Sequence, residues 1–158
     1  MSPIRPSQFD EPISGLAPPS LYNLVYTSRA SATVDDAVVA RIIEFSQSNN
    51  LRRGITGLLV YGSGIFFQWL EGPRDNILEL MARISADARH DTVVVLSETE
   101  EFGKRVFPDW SMELVSSDHI REVLLDALDD AGEPKTAQSL RTLLAAVDFA
   151  EAKRGEPG

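Results

Sequence analysis

The sequence predicts an α+β fold: a mixed β-sheet carrying two helices on one face and a C-terminal helical hairpin on the other. Three observations carry this reading. Runs with two-residue alternation and runs with helical periodicity succeed one another between Leu21 and Val115. Two of the strand-like runs are separated only by Gly62-Ser63-Gly64, a connection short enough to force antiparallel neighbours. Two apolar stripes at helical spacing then follow with no strand between them, as a cover for the second sheet face would require.

The elements follow in order. Residues 1–19 hold five prolines with serine and glycine and no periodicity, and read as a disordered or loosely docked arm. Leu21 to Thr27 has the β-branched and aromatic content of a strand and ends at Ser28-Arg29-Ala30-Ser31. Thr33 with Asp36 resembles a capping box; Val38, Ile42 and Phe45 recur at helical spacing until Asn49-Asn50 stops the helix. Ile55–Tyr61 and Ile65–Glu71 form the hairpin. Ile77, Leu80, Met81 and Ile84 mark a second helix ending near 88–91, after which Thr92–Leu96 is an apolar strand. Trp110–Val115 alternates as a last strand, which places Trp110 and Met112 on one face.

The order β-α-β-β-α-β-β is that of a ferredoxin-like split βαβ unit with one added strand. Ile120, Val123, Leu124, Ala127 and Leu128, then Leu140, Leu143, Leu144 and Val147, form the stripes of the covering hairpin, turned at Gly132-Glu133-Pro134. The organisation read from these patterns is an arm over 1–19, a folded domain over 20–116 and a helical extension over 117–158.

Composition narrows the chemistry. No cysteine occurs among the 158 residues, which excludes disulfides, thiolate metal sites, cysteine nucleophiles and thiol-adduct photochemistry. Twenty-four acidic against fifteen basic residues give a net charge of −9, so phosphate backbones are repelled and direct nucleic-acid binding is not expected. The N-terminal residues lack the pattern of a secretory signal and no apolar run has membrane-spanning length, so the expectation is a cytoplasmic protein with no membrane contact. No spacing matches a metal site, Gly62-Ser63-Gly64 lacks the lysine of a phosphate loop, and no serine sits in a nucleophile elbow.

One residue breaks the apolar pattern of the hairpin. Alternation puts Phe66, Gln68 and Leu70 on one face and Phe67, Trp69 and Glu71 on the other. A buried Gln68 amide requires both a donor and an acceptor beside it, since an unsatisfied amide costs about 1–3 kcal/mol. Only one of these faces meets the two helices; if Gln68 points to it, Tyr26 from the first strand and Asn49-Asn50 from the first helix lie beside it, and an amide, a phenol and two asparagines converge there. Taken singly, Tyr26 reads as a strand-end tyrosine, Asn49-Asn50 as an ordinary helix stop, Gln68 as an edge residue in water and Arg89-His90 as favourable charge at a helix C-terminus.

Together they resemble the BLUF family of flavin-using blue-light sensors. The matching residues are Tyr26 in Leu24-Val-Tyr-Thr-Ser28, Asn50, Ile55-Thr-Gly-Leu-Leu-Val-Tyr61, Phe66-Phe-Gln-Trp-Leu-Glu-Gly72 and Phe107-Pro-Asp-Trp-Ser-Met112. The resemblance implies a non-covalent flavin, FAD with FMN as the alternative, seated between the two helices. By the same matching, Tyr26 and Gln68 are photoactive, and Asn50, Asn49, Ser46, Ile42, Arg89 and His90 bind the cofactor. Trp110 and Met112 pass the signal onward. Excitation would move an electron and a proton from Tyr26 through Gln68 and leave a rearranged hydrogen-bond network, without catalytic turnover. With no cyclase- or phosphodiesterase-sized segment in the sequence, the output is expected to be a separate protein partner or a change in homo-oligomerisation. The rival readings are an acylphosphatase-like hydrolase, for which Ser28-Arg29-Ala30-Ser31 offers an arginine but no glycine-rich cradle, and a flavin-free interaction module on the same frame.

Overall fold

The computed structural model describes residues 20–101 and 103–154; the arm expected over residues 1–19 lies outside the described residues. The observed order is β1 (Leu21–Ala30), α1 (Asp36–Arg53), β2 (Thr56–Gly62), β3 (Ile65–Gly72), α2 (Arg74–Ala86), β4 (His90–Glu101), β5 (Glu113–Val115), α3 (Ile120–Asp130) and α4 (Pro134–Arg154). The five strands form one mixed sheet in the order β4-β1-β3-β2-β5. β3 lies between β1 and β2, antiparallel to both, and only the β2–β5 pair is parallel. The expected ferredoxin-like α+β architecture is therefore present.

The β2–β3 turn uses Ser63 and Gly64 at φ of 52° and 76°, the left-handed pair that matches the twist of a two-residue hairpin. The strands around it bury one core on each face. Tyr22, Leu24, Tyr26, Leu59, Phe66 and Leu70 pack against Val39 of α1 and Ile77 and Met81 of α2. On the other face Val25, Leu58, Val60, Phe67 and Trp69 meet Ile120 and Leu124 of α3 and Leu140, Leu143 and Val147 of α4. The two C-terminal stripes thus cover the second face as their periodicity required.

Several boundaries differ from the sequence reading. The N-cap of α1 is Asp35, whose side chain accepts from the Val38 amide at 2.9 Å, in place of a Thr33–Asp36 capping box. Asn49-Asn50 does not stop the helix. It runs to Arg53 and ends at Gly54 with φ 70°, because the Asn50 side chain finds a tertiary partner instead of competing with the helix backbone. Val39 is the buried anchor of α1, whereas Phe45 is 68% exposed and Ile42 only half-buried. α2 ends at Ala86, since the Asp87 carboxylate accepts from the Arg89 amide and its carbonyl from the His90 amide, turning the chain so that His90 opens β4. β1 and β4 extend beyond the expected spans, each held by their mutual ladder.

The largest correction concerns residues 110–112. β5 covers only Glu113–Val115, and the preceding segment is irregular, with a turn around Pro108 and with the Trp110 carbonyl accepting from the Gly57 amide at 2.8 Å. Without strand alternation Trp110 and Met112 do not share a face. Trp110 packs into the core under α3 and α4, and Met112 into the core under α1 and α2.

Candidate functional site

The gap between α1 and α2 opens as a cleft of about 640 Å³ including its mouth. At its base lie Tyr26, Leu59 and Gln68 from the sheet and Asn50 from α1, each at most 5% exposed. Ile42, Phe45, Ser46 and Asn49 form the α1 wall, and Leu80 and Ile84 belong to the α2 wall. Arg83, Asp87, Arg89 and His90 contribute the charged and titratable side. The eight cofactor-binding and photoactive residues named from sequence therefore line a single cleft.

Register explains the pairing at its centre. Tyr26 stands directly opposite Gln68 on neighbouring strands, so their side chains rise on the same face. The Tyr26 hydroxyl donates to Gln68 Oε1, and Gln68 Nε2 donates to Met112 Sδ at 3.1 Å. A primary amide carries two N–H groups, so this arrangement leaves Gln68 a second hydrogen to direct toward a ligand. Asn50 Nδ2 donates to the Ser111 carbonyl at 3.1 Å, and Gln47 Nε2 to the Met112 carbonyl at 3.1 Å. Residues 111–112 are thus tied to α1 and to Gln68 together.

Burial raises the Tyr26 hydroxyl above the ordinary tyrosine range, reinforced by the Asp87 charge, so the phenol remains protonated. His90 is lowered, first by burial, with Asp87 partly opposing the shift; neutral, it sits edge-on to Tyr26 and shares a 2.7 Å hydrogen bond with the Ser28 hydroxyl. Arg89 grips Asp87 at 2.6 Å and holds that carboxyl below its usual range. Sequence reasoning missed Asp87, Ser28 and Ser111. The first had a local signal in its two-residue spacing from Arg89, while the other two are brought in only by the fold.

These features fit a flavin. A planar ring with an apolar body and a polar edge needs apolar walls beside amides, which the exposed Phe45 with Ile42 and Ile84, and the base amides Gln68 and Asn50, provide. Trp110, by contrast, is stacked on Phe107 with ring centroids 5.0 Å apart and planes at 5°, on the far side of the sheet from this cleft.

Residues 21–113 match the family model described as BLUF, sensors of blue-light using FAD. The chain belongs to the BLUF family. The family is one of flavin-using blue-light sensors. Its β-subunit relative among the photoactivated adenylate cyclases of Euglena gracilis is 31% identical over 101 residues, covering 63% of this chain and 12% of that protein. The blue light- and temperature-regulated antirepressor BluF of Escherichia coli (strain K12) is 27% identical over 119 residues, covering 73% of this chain and 28% of BluF. Among solved structures, the dark state of the BLUF protein BlrB matches with TM-score 0.62 and 39% identity over 80% of this chain and 97% of that one. The chain therefore spans a small part of its curated relatives and nearly all of the BlrB chain. Among the described residues no helix is long and apolar enough to cross a membrane.

Proposed function

We propose that this BLUF protein senses blue light through Tyr26 and Gln68, and that its output is a change in protein association. The observation that carries the reading is the Tyr26–Gln68–Met112 chain of contacts at the base of the cleft. Bound flavin supplies the absorption of blue light and an excited state that accepts an electron. The protein supplies the rest.

In this reading Tyr26 is the donor, and its hydroxyl proton passes to Gln68 Oε1 and later returns. Gln68 then rotates or changes tautomer, so that donor and acceptor exchange places without a backbone shift. Leu59 and Phe66, both buried beside it, exclude water from the exchange. Asn50, Asn49, Ser46 and Ile42 hold the ring, and Arg89 with His90 stands toward the phosphate-bearing tail, where Arg makes charge-assisted bonds. The family description points to FAD, with FMN as the alternative, since both flavins carry a phosphate at that end. Met112 and Trp110 transmit the change, from opposite faces of the sheet. The chain acts without turnover, and the acidic α3 face, with Glu122, Asp126 and Asp129 exposed, offers a surface for a separate protein partner or a second copy.

Absorption spectra of the purified protein in the dark and after blue light test this reading. The expected result is a yellow protein whose flavin bands shift reversibly to the red, with Gln68→Leu and Tyr26→Phe both bound to flavin and unresponsive. A normal shift in either variant overturns the assignment.

A further inference from the structure

Glu71 is an ionisable side chain, 1% exposed and three residues beyond Gln68 on β3, on the opposite face from the cleft; burial raises its carboxyl above the usual range, opposed by its hydrogen bonds and by Arg105. Carboxylates are rarely buried unless their oxygens are fully engaged. Here they accept from the Val106 amide at 3.0 Å, the Phe107 amide at 2.6 Å, the Trp69 indole N–H at 3.2 Å and the Thr56 hydroxyl at 3.2 Å. Arg105 completes the cluster, donating from Nη1 to the Thr56 hydroxyl oxygen and to the Glu71 carbonyl. The Glu71 side chain thereby fastens residues 106–107 to the central hairpin, and the Glu71 backbone carbonyl holds Arg105.

The fastened segment bridges the two faces of the sheet. At its far end Ser111 and Met112 are held by Asn50, Gln47 and Gln68. Between the two ends Phe107 stacks on Trp110 and meets Trp69 edge-on, within the core formed with Ile120, Leu124, Leu140 and Leu143. A segment anchored only at Met112 would slide as a whole when Gln68 lets go. Anchored at Glu71 as well, it has a fixed point, and a displacement at Met112 turns the Phe107–Trp110 pair against α3 and α4.

We propose that Glu71 is the positioning residue of the output path: its buried carboxylate pins residues 106–107 and converts the state of Gln68 into a movement of the helical cover. This inference rests on the photosensing reading above. Glu71 touches neither the cleft nor Gln68, and acts through Phe107, Trp110 and Met112.

The test compares the full chain with Glu71→Gln, in which an NH2 group opposes the amide donors, and with the milder Thr56→Ala and Trp69→Phe, each removing one donor. Three quantities are read: the light-induced absorption shift, its recovery in the dark, and the light-minus-dark difference in amide hydrogen exchange over α3 and α4. The expected result is an undiminished absorption shift, recovery changed at least about threefold, and an exchange difference cut by at least half. A role in stability alone would lower the unfolding temperature and leave the exchange difference intact; that outcome overturns the proposal. Should Glu71→Gln fail to fold, Thr56→Ala and Trp69→Phe decide by the same criteria. Absence of any shift in the wild-type chain would defeat the photosensing reading itself and is thus distinct from loss of coupling.

Discussion

Gln68 and Met112 are joined by a 3.1 Å N–H···S contact while the other end of the same amide accepts from Tyr26. A thioether is a weak acceptor, so the Met112 side of this bridge is the easier one to release. Met112→Leu keeps the volume and removes the acceptor. The dark arrangement then loses about 1 kcal/mol, and recovery after a blue flash is expected to slow by about fivefold with flavin still bound. Transient absorption measures it; an unchanged rate would remove Met112 from the switch.

Asn50 serves two directions at once, the cleft and the Ser111 carbonyl. Asn50→Ala is expected to weaken flavin binding by about tenfold, the equivalent of one hydrogen bond to a polar ring edge. Fluorescence titration of the apoprotein with FAD and with FMN would give this loss and, from the wild type, the preference between the two flavins.

The depressed His90 sets a pH dependence. Its folded-state pKa lies below the ordinary 6.5, so the unfolded chain binds the proton first as pH falls. Stability from this group is present above about pH 6.5 and declines as the pH drops below that value, until the folded-state His90 also titrates. Thermal unfolding at pH 7.5 and 5.5 should show a smaller acid loss in His90→Gln than in the wild type.

Two glycines at positive φ are expected to respond very differently to alanine. At Gly57, φ 154°, an added Cβ would lie 1.8 Å from the Trp69 carbonyl oxygen, a backbone atom that cannot move aside. At Gly64, φ 76°, it would meet nothing within 4 Å. Gly57→Ala should fail to yield folded protein, whereas Gly64→Ala should cost about 1 kcal/mol and lower the unfolding temperature by a few degrees.

α3 and α4 share a core with the sheet, so removing residues 117–158 would expose Val25, Leu58 and Trp69 and is expected to cause aggregation. Leu124→Ala, at a fully buried site, is the gentler probe. It should cost about 2–5 kcal/mol in denaturant unfolding while leaving the absorption shift in place.

Alternation and periodicity are local properties, and they sufficed for the element order, the hairpin, the grouping of Phe66, Gln68 and Leu70 on one face and the two stripes of α3 and α4. Tyr26, Asn50, Arg89 and His90 came instead from the family resemblance, whose motifs lie in short contiguous strings, and all four line the cleft. Where tertiary contacts compete with local preference, the chain alone misled. Asn49-Asn50 has the composition of a helix stop, but a distant carbonyl at Ser111 accepts the Asn50 amide and the helix continues. Trp110 and Met112 alternate as in a strand, yet the Glu71 carboxylate and the Gly57 amide hold that segment in an irregular path that sends them to opposite cores. Glu71 itself carried no local signal, for a carboxylate at a strand end is ordinarily in water. Only the assembled fold, by bringing four donors from β2, β3 and the connection before β5 to one buried point, decided that it would be an anchor.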